Sequence, residues 1–205
     1  MKLTLPTLAL TLAASTTAQY YNQSKPFHLV VVSKNQTING DTLSACHTGA
    51  AIESLCLSNS ISVSKPNPIA PATFYFNTSD SVVTPNATLG APGIVTYVLN
   101  SIPPIPESLG LYPSFSSNVA LPLLWPGDTE ATTMAFDKND LLNIQDYVDD
   151  KVNPPVSGDY TAYYRWYSCS TYWQGYSYVT LSWVLGEGKP QNPSCVKIDV
   201  KRVFI

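Results

Sequence analysis

The segment Tyr176-Ser-Tyr-Val-Thr-Leu-Ser-Trp-Val-Leu185 decides the fold class of this chain. From residue 178 onward polar side chains alternate with apolar ones, which are Val179, Leu181, Trp183 and Leu185. A period of two is the pattern of a β-strand that turns one face to a core and carries polar groups on the other. The segment therefore predicts one strand of an antiparallel sheet.

Strand patterns flank this segment in both directions. Tyr160 to Cys169 and Cys195 to Phe204 are the adjacent runs, and glycines and prolines at the joins predict an antiparallel meander. Three upstream runs carry the same signal: Phe27 to Ser33, Thr73 to Asn77 and Gly93 to Leu99. We predict an all-β fold, an antiparallel β-sandwich with at most one or two short helices, built by residues 19–205 as a single domain.

Two stretches depart from this pattern. Residues 101–126 contain six prolines, which disfavour both a long helix and a central strand. We therefore predict a crossover on the domain surface there. The spacing of Leu141, Ile144 and Val148 predicts a short helix, which Asp140 is suited to cap.

The N-terminus has the composition of a secretory signal peptide. An uncharged stretch, Leu3 to Ala14, follows a single lysine, and small residues up to Ala18 resemble a cleavage site. This stretch is shorter than the ~20 apolar residues that cross a bilayer. We predict a signal peptide over residues 1–18, a mature chain from Gln19 and an extracellular, secreted location. Neither a membrane span nor a lipid anchor is predicted, since no other apolar run is long enough and residues 197–205 are charged.

The charge of the mature chain argues against one class of partner. Lys2 is removed with the signal peptide, which leaves 10 basic and 14 acidic side chains. Nucleic-acid binding draws affinity from clustered basic groups that release phosphate counterions, and this sequence has no such cluster. We expect no nucleic-acid partner.

Secretion gives meaning to the cysteines and to the Asn-x-Ser/Thr triplets. Four cysteines in an oxidising compartment predict two disulfides. Three pairings are possible, and proximity along the chain favours Cys46–Cys56 and Cys169–Cys195. The predicted N-glycosylation sites, all in the first half of the chain, are Asn22, Asn35, Asn77 and Asn86.

Two groups of residues carry a resemblance. The first comprises Lys25-Pro26-Phe27, Asn39-Gly40 and, above all, Cys46-His47-Thr48-Gly49-Ala50-Ala51-Ile52-Glu53-Ser54-Leu55-Cys56. The second comprises Thr171-Tyr172, Gly175-Tyr176, Leu181, Trp183 and Asn192-Pro193-Ser194-Cys195. Together they resemble a family of small secreted fungal proteins that share a Cys-His-x-Gly-Ala-Ala segment. The resemblance implies a secreted, wall- or surface-associated protein and carries no activity or catalytic residue with it.

No residue pattern predicts a catalytic centre, a metal site or a cofactor. His47 beside Cys46 would need a free thiolate to act as a nucleophilic pair, and outside the cell a disulfide is the expected state of that cysteine. Two cysteines and one histidine also make an incomplete zinc ligand set. Glycoside hydrolysis needs two carboxyls that converge in a cleft, and the sequence cannot show such convergence among its four glutamates, Glu53, Glu107, Glu130 and Glu187.

Aromatic residues provide the best functional lead. Ten tyrosines and tryptophans fall between Tyr160 and Trp183. Sugars present flat C–H faces that pack on such rings, whose polar edges can form hydrogen bonds. A strand has two faces, so packing in the core remains the alternative role for much of this cluster. We predict a turn that exposes Tyr172 and Trp173 as the sugar-binding residues, and a non-catalytic protein that associates weakly and without metal with extracellular polysaccharide or the cell wall. The alternatives are a small secreted glycan hydrolase and a structural protein with a protein partner.

Overall fold

A computed structural model describes residues 20–58, 69–80 and 82–205. The predicted signal peptide, residues 1–18, and the predicted start of the mature chain at Gln19 lie outside this range. The described residues form strands, and no helix long and apolar enough to cross a membrane is found among them. The strands are β1 (Asn22–Gln23), β2 (Phe27–Val32), β3 (Leu43–Gly49), β4 (Ile52–Leu57), β5 (Tyr75–Thr78), β6 (Gly93–Leu99), β7 (Ile105–Pro113), β8 (Val119–Pro126), β9 (Ala135–Phe136), β10 (Leu142–Asp149), β11 (Val156–Tyr163), β12 (Trp166–Trp173), β13 (Tyr176–Val184), β14 (Val196–Lys197) and β15 (Asp199–Phe204).

The strands form three antiparallel sheets in a sandwich-like arrangement. The largest has the order β1-β5-β6-β7-β8-β4-β13-β12-β14, with β3 paired to β4. The second has the order β11-β10-β9, and the third consists of β15 and β2. These pairings confirm the predicted all-β, antiparallel sandwich class.

The core lies between the large sheet and the β2–β15 pair. Strand β2 turns Phe27, Leu29 and Val31 inward, where they join leucines of β4, β7 and β8 in one apolar cluster. Strand β13 contributes Leu181 and Trp183 to the same cluster, as its alternation predicts. The polar residues of β13 are nevertheless buried as well, with Thr180 and Ser182 at 1% and 0% exposure. The second face of the sheet is therefore covered at its centre.

Arg202 connects β15 to the turn before β10. Its guanidinium Nη2 donates a 2.7 Å hydrogen bond to Asp140 Oδ1 and lies 4.4 Å from the centre of the Phe136 ring. Asp140 adopts a left-handed backbone conformation, with φ of 63°, in the turn that joins β9 to β10. The residue predicted to cap a helix thus anchors a strand of the third sheet.

The disulfide pairing is confirmed. Cys46 is bonded to Cys56 across the β3–β4 hairpin, with a Cα–Cα distance of 5.9 Å. Cys169 of β12 is bonded to Cys195, which precedes β14, with a Cα–Cα distance of 4.1 Å. All four cysteines are therefore in disulfides.

The predicted surface crossover over residues 101–126 is wrong, because this stretch forms β7 and β8 inside the large sheet. Strand β8 pairs with β4 through Leu123 and Leu124, and with β13 through Val119 and Ala120. Pro122 falls between these two pairings. Other prolines of the stretch end strands or lie near their ends, so the missing N–H groups interrupt little of the hydrogen-bond ladder.

The predicted short helix after Asp140 is also wrong, because residues 142–149 form strand β10. Leu142 pairs with Phe136 of β9, and Ile144 pairs with Tyr163 of β11. The register shifts between Asp146 and Val148, as it does at a β-bulge. Such a shift breaks the period of two, and the resulting spacing of apolar residues imitates a helix.

Candidate functional site

Tyr172 and Trp173 are the last two residues of β12, one step before the turn in which we predicted them. The turn consists of Gln174 and Gly175, whose φ angles of 45° and 97° fit a two-residue hairpin of type I′. Because side chains alternate along a strand, Tyr172 and Trp173 point to opposite faces of the sheet. Tyr172 is 70% exposed and lies opposite Ser177, whereas Trp173 is half-buried and lies opposite Tyr176.

Trp173 belongs to a group of six rings that we call the aromatic band. Its members come from strands β3, β7, β8, β12 and β13, and they are His47, Tyr112, Trp125, Trp173, Tyr176 and Tyr178. Tyr112 stacks on Trp125 with ring centres 5.0 Å apart, and Trp173 meets Tyr112 edge-on at 6.0 Å. This half of the band therefore joins three rings that lie far apart in the sequence.

The other half of the band surrounds Tyr176, the directly paired neighbour of Trp173. The Tyr176 ring is parallel to that of Tyr178 at 6.4 Å and meets His47 edge-on at 5.2 Å. Nε2 of His47 lies 3.1 Å from the Tyr176 hydroxyl, and the Tyr178 hydroxyl donates to the His47 carbonyl oxygen at 2.9 Å. His47 and Tyr176 are exposed, whereas the remaining four rings are half-buried. The band thus presents ring faces and edges to solvent on a hydrogen-bonded support.

Gly110 makes room for the centre of the band. A Cβ atom at this position would lie 2.2 Å from the carbonyl oxygen of Glu130 and 3.5 Å from the Tyr112 ring. The Tyr112 hydroxyl interacts with the Glu130 carboxylate, and burial followed by this carboxylate raises the pKa of Tyr112 to about 12. Tyr112 consequently stays a neutral hydrogen-bond donor throughout the physiological range.

Two polar atoms of the band have no hydrogen-bond partner among the described residues. They are the indole Nε1 atoms of Trp125 and Trp173, both shielded from solvent. An unpaired buried donor costs about 1–3 kcal/mol, so these two indoles lower the stability of the band.

A pair of carboxyls lies on the opposite, core-facing side of the same sheet. Glu53 of β4 pairs with Leu124 of β8, which pairs with Leu109 of β7, and Glu107 stands two residues before Leu109. All four side chains therefore share one face. Glu53 and Glu107 are only 3% and 1% exposed, and no basic residue of the described chain forms an ion pair with either.

The two carboxyls lie close enough to interact, and a proton on one of them relieves the repulsion between two buried charges. Burial, followed by the hydrogen bond to Glu53 and its charge, raises the pKa of Glu107 to about 9. Tyr97 of β6 pairs with Glu107 of β7. The pKa of Tyr97 is raised by burial and then by the charges of Glu53 and Glu107. Two carboxyls do converge, but in a buried position.

No group of three or more His, Cys, Asp or Glu side chains within residues 20–58, 69–80 and 82–205 is arranged to hold a metal ion. The turn at residues 137–140 holds two aspartates, of which Asp140 binds Arg202 and Asp137 supports the turn backbone. Asp137 Oδ1 accepts hydrogen bonds from the N–H groups of Asn139 and Leu141 at 2.8 and 2.9 Å, and its Oδ2 accepts one from the Tyr164 hydroxyl.

The four predicted glycosylation sites differ in their surroundings. Asn22, Asn35 and Asn86 are exposed. In two of the triplets the asparagine Oδ1 accepts the hydroxyl of the following threonine at 2.7 Å, which orders Asn35 with Thr37 and Asn86 with Thr88. Asn77 is half-buried in β5, where its Oδ1 accepts the Thr96 hydroxyl and its Nδ2 donates to the Tyr20 carbonyl. Asn77 is the least accessible of the four.

Sequence reasoning identified one residue of the band, Trp173, together with Tyr172, which lies on the other face. It missed Tyr112 and Trp125 because they lie in the proline-rich stretch interpreted as a crossover. It considered His47 only as a partner for Cys46, whose sulfur is in a disulfide. The signal that could have indicated these two members of the band was the presence of one large aromatic residue, Tyr112 or Trp125, in each of two neighbouring apolar segments.

The fold and the surface define a small disulfide-linked β-sheet protein that carries a band of aromatic rings. Residues 24–204 match the family model described as Domain of unknown function (DUF7907), and the chain belongs to this family. No curated protein and no solved structure matches the chain.

Proposed function

We propose that this protein is a non-catalytic extracellular protein that binds polysaccharide, as in a cell wall, through the aromatic band. The observation that carries the proposal is that two groups of three rings, with neighbouring centres 5.0–6.4 Å apart within each group, lie side by side on one face of the sheet, where Trp173 of one group pairs with Tyr176 of the other. A row of rings can stack on consecutive units of a sugar chain.

The rings of the band are held in place before any ligand arrives. Tyr112 is fixed by Trp125 and Glu130, and Tyr176 by His47 and Tyr178. A rigid aromatic surface loses little side-chain entropy on binding, which favours affinity. The exposed hydroxyl of Tyr176 and the imidazole of His47 add polar partners for sugar hydroxyls.

Secretion belongs to the same proposal. The two disulfides are consistent with an extracellular protein. The predicted signal peptide, the N-glycans and the resemblance to small secreted fungal proteins support an exterior, wall-associated role.

The position of the carboxyls favours binding over hydrolysis. Glycosidases place two carboxyls about 5–10 Å apart across a scissile bond. Glu130 is the carboxylate that interacts with the aromatic band, through Tyr112. Glu53 and Glu107 lie together on the core-facing side, at 3% and 1% exposure.

Co-sedimentation of the secreted protein with insoluble β-glucan, chitin and cellulose tests the proposal. We expect binding to at least one of them, unchanged by EDTA and without release of soluble sugar. Tyr176→Ala and Trp173→Ala should each weaken binding about tenfold, which corresponds to ~1.4 kcal/mol. Tyr172→Ala is the matched control, because it removes an exposed ring from the other face, and it should bind like the wild type.

Absence of binding to all three polysaccharides, or an equal loss in Tyr172→Ala, would contradict the role of the aromatic band. Sugar release that disappears on mutation of a single carboxylate would replace binding by hydrolysis as the function.

A further inference from the structure

A cleft of about 330 Å³ lies far from the aromatic band, at the opposite end of the β12–β13 hairpin. Its walls include Tyr163, Arg165 and Tyr167 on one side, and Gly186, Glu187 and Gly188 of the loop after β13 on the other. Eight residues of β13 separate Tyr176 of the band from Val184 of the cleft, about 26 Å at 3.3 Å per residue. Its volume is at the lower end of the range of small-ligand sites.

Arg165 is the main charged group of the cleft. Its guanidinium lies 4.6 Å from the centre of the Tyr163 ring, and its carbonyl oxygen accepts a 3.0 Å hydrogen bond from the N–H of Val184. The ring contact uses none of the five N–H donors of the guanidinium. Arg165 donates no side-chain hydrogen bond to another described residue, although it is half-buried. A positioned cation with free donors is therefore available to a ligand.

The other charges around the cleft are already engaged. Glu187 forms an ion pair with Lys151 at the exposed rim. Lys197 donates to the carbonyl oxygens of Tyr164, Trp166 and Ile198, and its ammonium lies 5.3 Å from the centre of the Tyr167 ring. Among the described residues Arg165 has no carboxylate within ion-pair distance, and Glu187, whose pKa is lowered mainly by Lys151 and to a smaller extent by Arg165, is its nearest acidic neighbour in the cleft.

The geometry points to a carboxylate as the missing partner of Arg165. A guanidinium matches the two oxygens of a carboxylate with two parallel N–H···O bonds. The flanking tyrosines add apolar ring surface, and the hydroxyls of Tyr163 and Tyr167 form no hydrogen bond to a described residue. Rings, phenol hydroxyls and a guanidinium together suit a sugar that carries an acid group. We propose that this cleft binds the carboxylate of an acidic sugar, a uronate, through Arg165.

This site does not depend on the aromatic band, so either assignment can fail alone. The test is a titration of the full secreted chain with D-glucuronate at neutral pH, followed by NMR of the backbone amides. D-glucose is the matched neutral sugar, and acetate is the matched carboxylate without a sugar. We expect saturable shifts confined to residues 162–167 and 184–188 with glucuronate, at least fivefold tighter than with either control ligand.

Three variants sharpen the test. Arg165→Gln should abolish the saturable shifts, and Arg165→Lys should weaken binding at least fivefold because it keeps the charge but loses the fork. Lys34→Gln, which removes one exposed charge far along the chain, is the matched control and should bind like the wild type. Glu187→Gln should strengthen binding, since it removes the carboxylate nearest to the ligand. An unchanged amide spectrum outside the cleft shows that each variant is folded.

Equal binding of glucuronate and glucose would overturn the role of the carboxylate, and equal binding of acetate would overturn the sugar. An equal loss in Lys34→Gln and Arg165→Gln would reduce the effect to the overall charge of the protein.

Discussion

The carboxyls of Glu53 and Glu107 lie against each other on the core-facing side of the large sheet, from strands on either side of β8. Burial and the neighbouring charge both oppose ionisation, so the folded chain keeps the proton of Glu107 up to a pH of about 9. Hydrolases also use pairs of acids, but this pair is buried, and its protonation therefore affects the stability of the fold.

Glu107→Gln is expected to stabilise the protein at neutral and alkaline pH. Below pH ~4.5 both the folded and the unfolded chain hold the Glu107 proton. Between ~4.5 and about 9 only the folded chain holds it, so the free energy of unfolding falls as the pH rises, and above about 9 this dependence ends. Glutamine needs no proton, and at pH 7 the variant should be more stable by roughly 1–3 kcal/mol, given 1.36 kcal/mol per pKa unit.

Urea unfolding from pH 4 to pH 8 measures this difference. The difference between Glu107→Gln and wild type should grow with pH and be smallest near pH 4. Asp150→Asn, at an exposed position, is the control and should show a flat difference. A variant that loses stability relative to wild type as the pH rises would refute the retained proton.

Trp173→Ala and Tyr172→Ala should separate in stability as well as in binding. The half-buried Trp173 ring contacts Tyr112, so its removal should lower the free energy of unfolding by about 1–3 kcal/mol, less than the 3–5 kcal/mol of a fully buried tryptophan. Tyr172, 70% exposed, should change it by less than about 0.5 kcal/mol. Chemical denaturation of both variants decides the matter, and equal losses would mean that the two rings are not on different faces.

Gly110→Ala should destabilise the protein by about 1–3 kcal/mol or more. The new Cβ would meet the Glu130 carbonyl oxygen at 2.2 Å, so the segment around Glu130 must move away, and Tyr112 would lose its partner. Gly158→Ala is the matched control in β11, where the nearest atoms are 3.5 Å away, and it should be neutral or slightly stabilising. Thermal unfolding and the near-UV circular dichroism of the band would show the contrast, which a neutral Gly110→Ala would contradict.

Removal of the Cys169–Cys195 disulfide should destabilise more than removal of Cys46–Cys56. The first closes a loop of 26 residues and the second one of 10. Each should contribute roughly 2–4 kcal/mol through the entropy of the unfolded chain, with the longer loop ahead by about 1 kcal/mol. Paired Cys→Ala variants compared by urea unfolding provide the measurement. The reverse order would show that native contacts, and not loop length, determine the contribution.

Glycan occupancy should differ among the four predicted sites if the chain is secreted. We expect high occupancy at Asn35 and Asn86, whose side chains are exposed, and the lowest occupancy at Asn77 in strand β5. Glycopeptide mass spectrometry of secreted protein measures occupancy at each site. Full occupancy at Asn77 would mean that its hydrogen bonds to Thr96 and Tyr20 form around a glycan or not at all.

Local pattern was sufficient for the fold class and for both disulfides, because alternation and cysteine spacing are encoded within one strand or one hairpin. It failed at residues 101–126, where proline was assumed to break a ladder that in fact has a gap at Pro122. It failed again at β10, where a register shift displaced Val148 and imitated a helical period.

The candidate sites were less predictable because they depend on contacts between distant strands. The meeting of Tyr112 with Trp173, and of Glu53 with Glu107, follows from sheet register that no single segment contains. Which of two consecutive residues faces the band, Tyr172 or Trp173, depended on the position of the turn to within one residue.

The pairing of β2 with β15 sets a time at which the fold can close. Phe27 pairs directly with Phe204, so strand β2 has no partner in this sheet until residue 204 has been synthesised. Chain growth at 5–20 residues per second makes that interval roughly 10–35 s for the residues between them. During this interval the edge of β2 that receives β15 remains unpaired, although its other edge is bridged at Phe74 and Thr42, and an unpaired edge is the kind of segment that aggregates or recruits chaperones. Production of this protein should therefore be most vulnerable while the nascent chain is still growing.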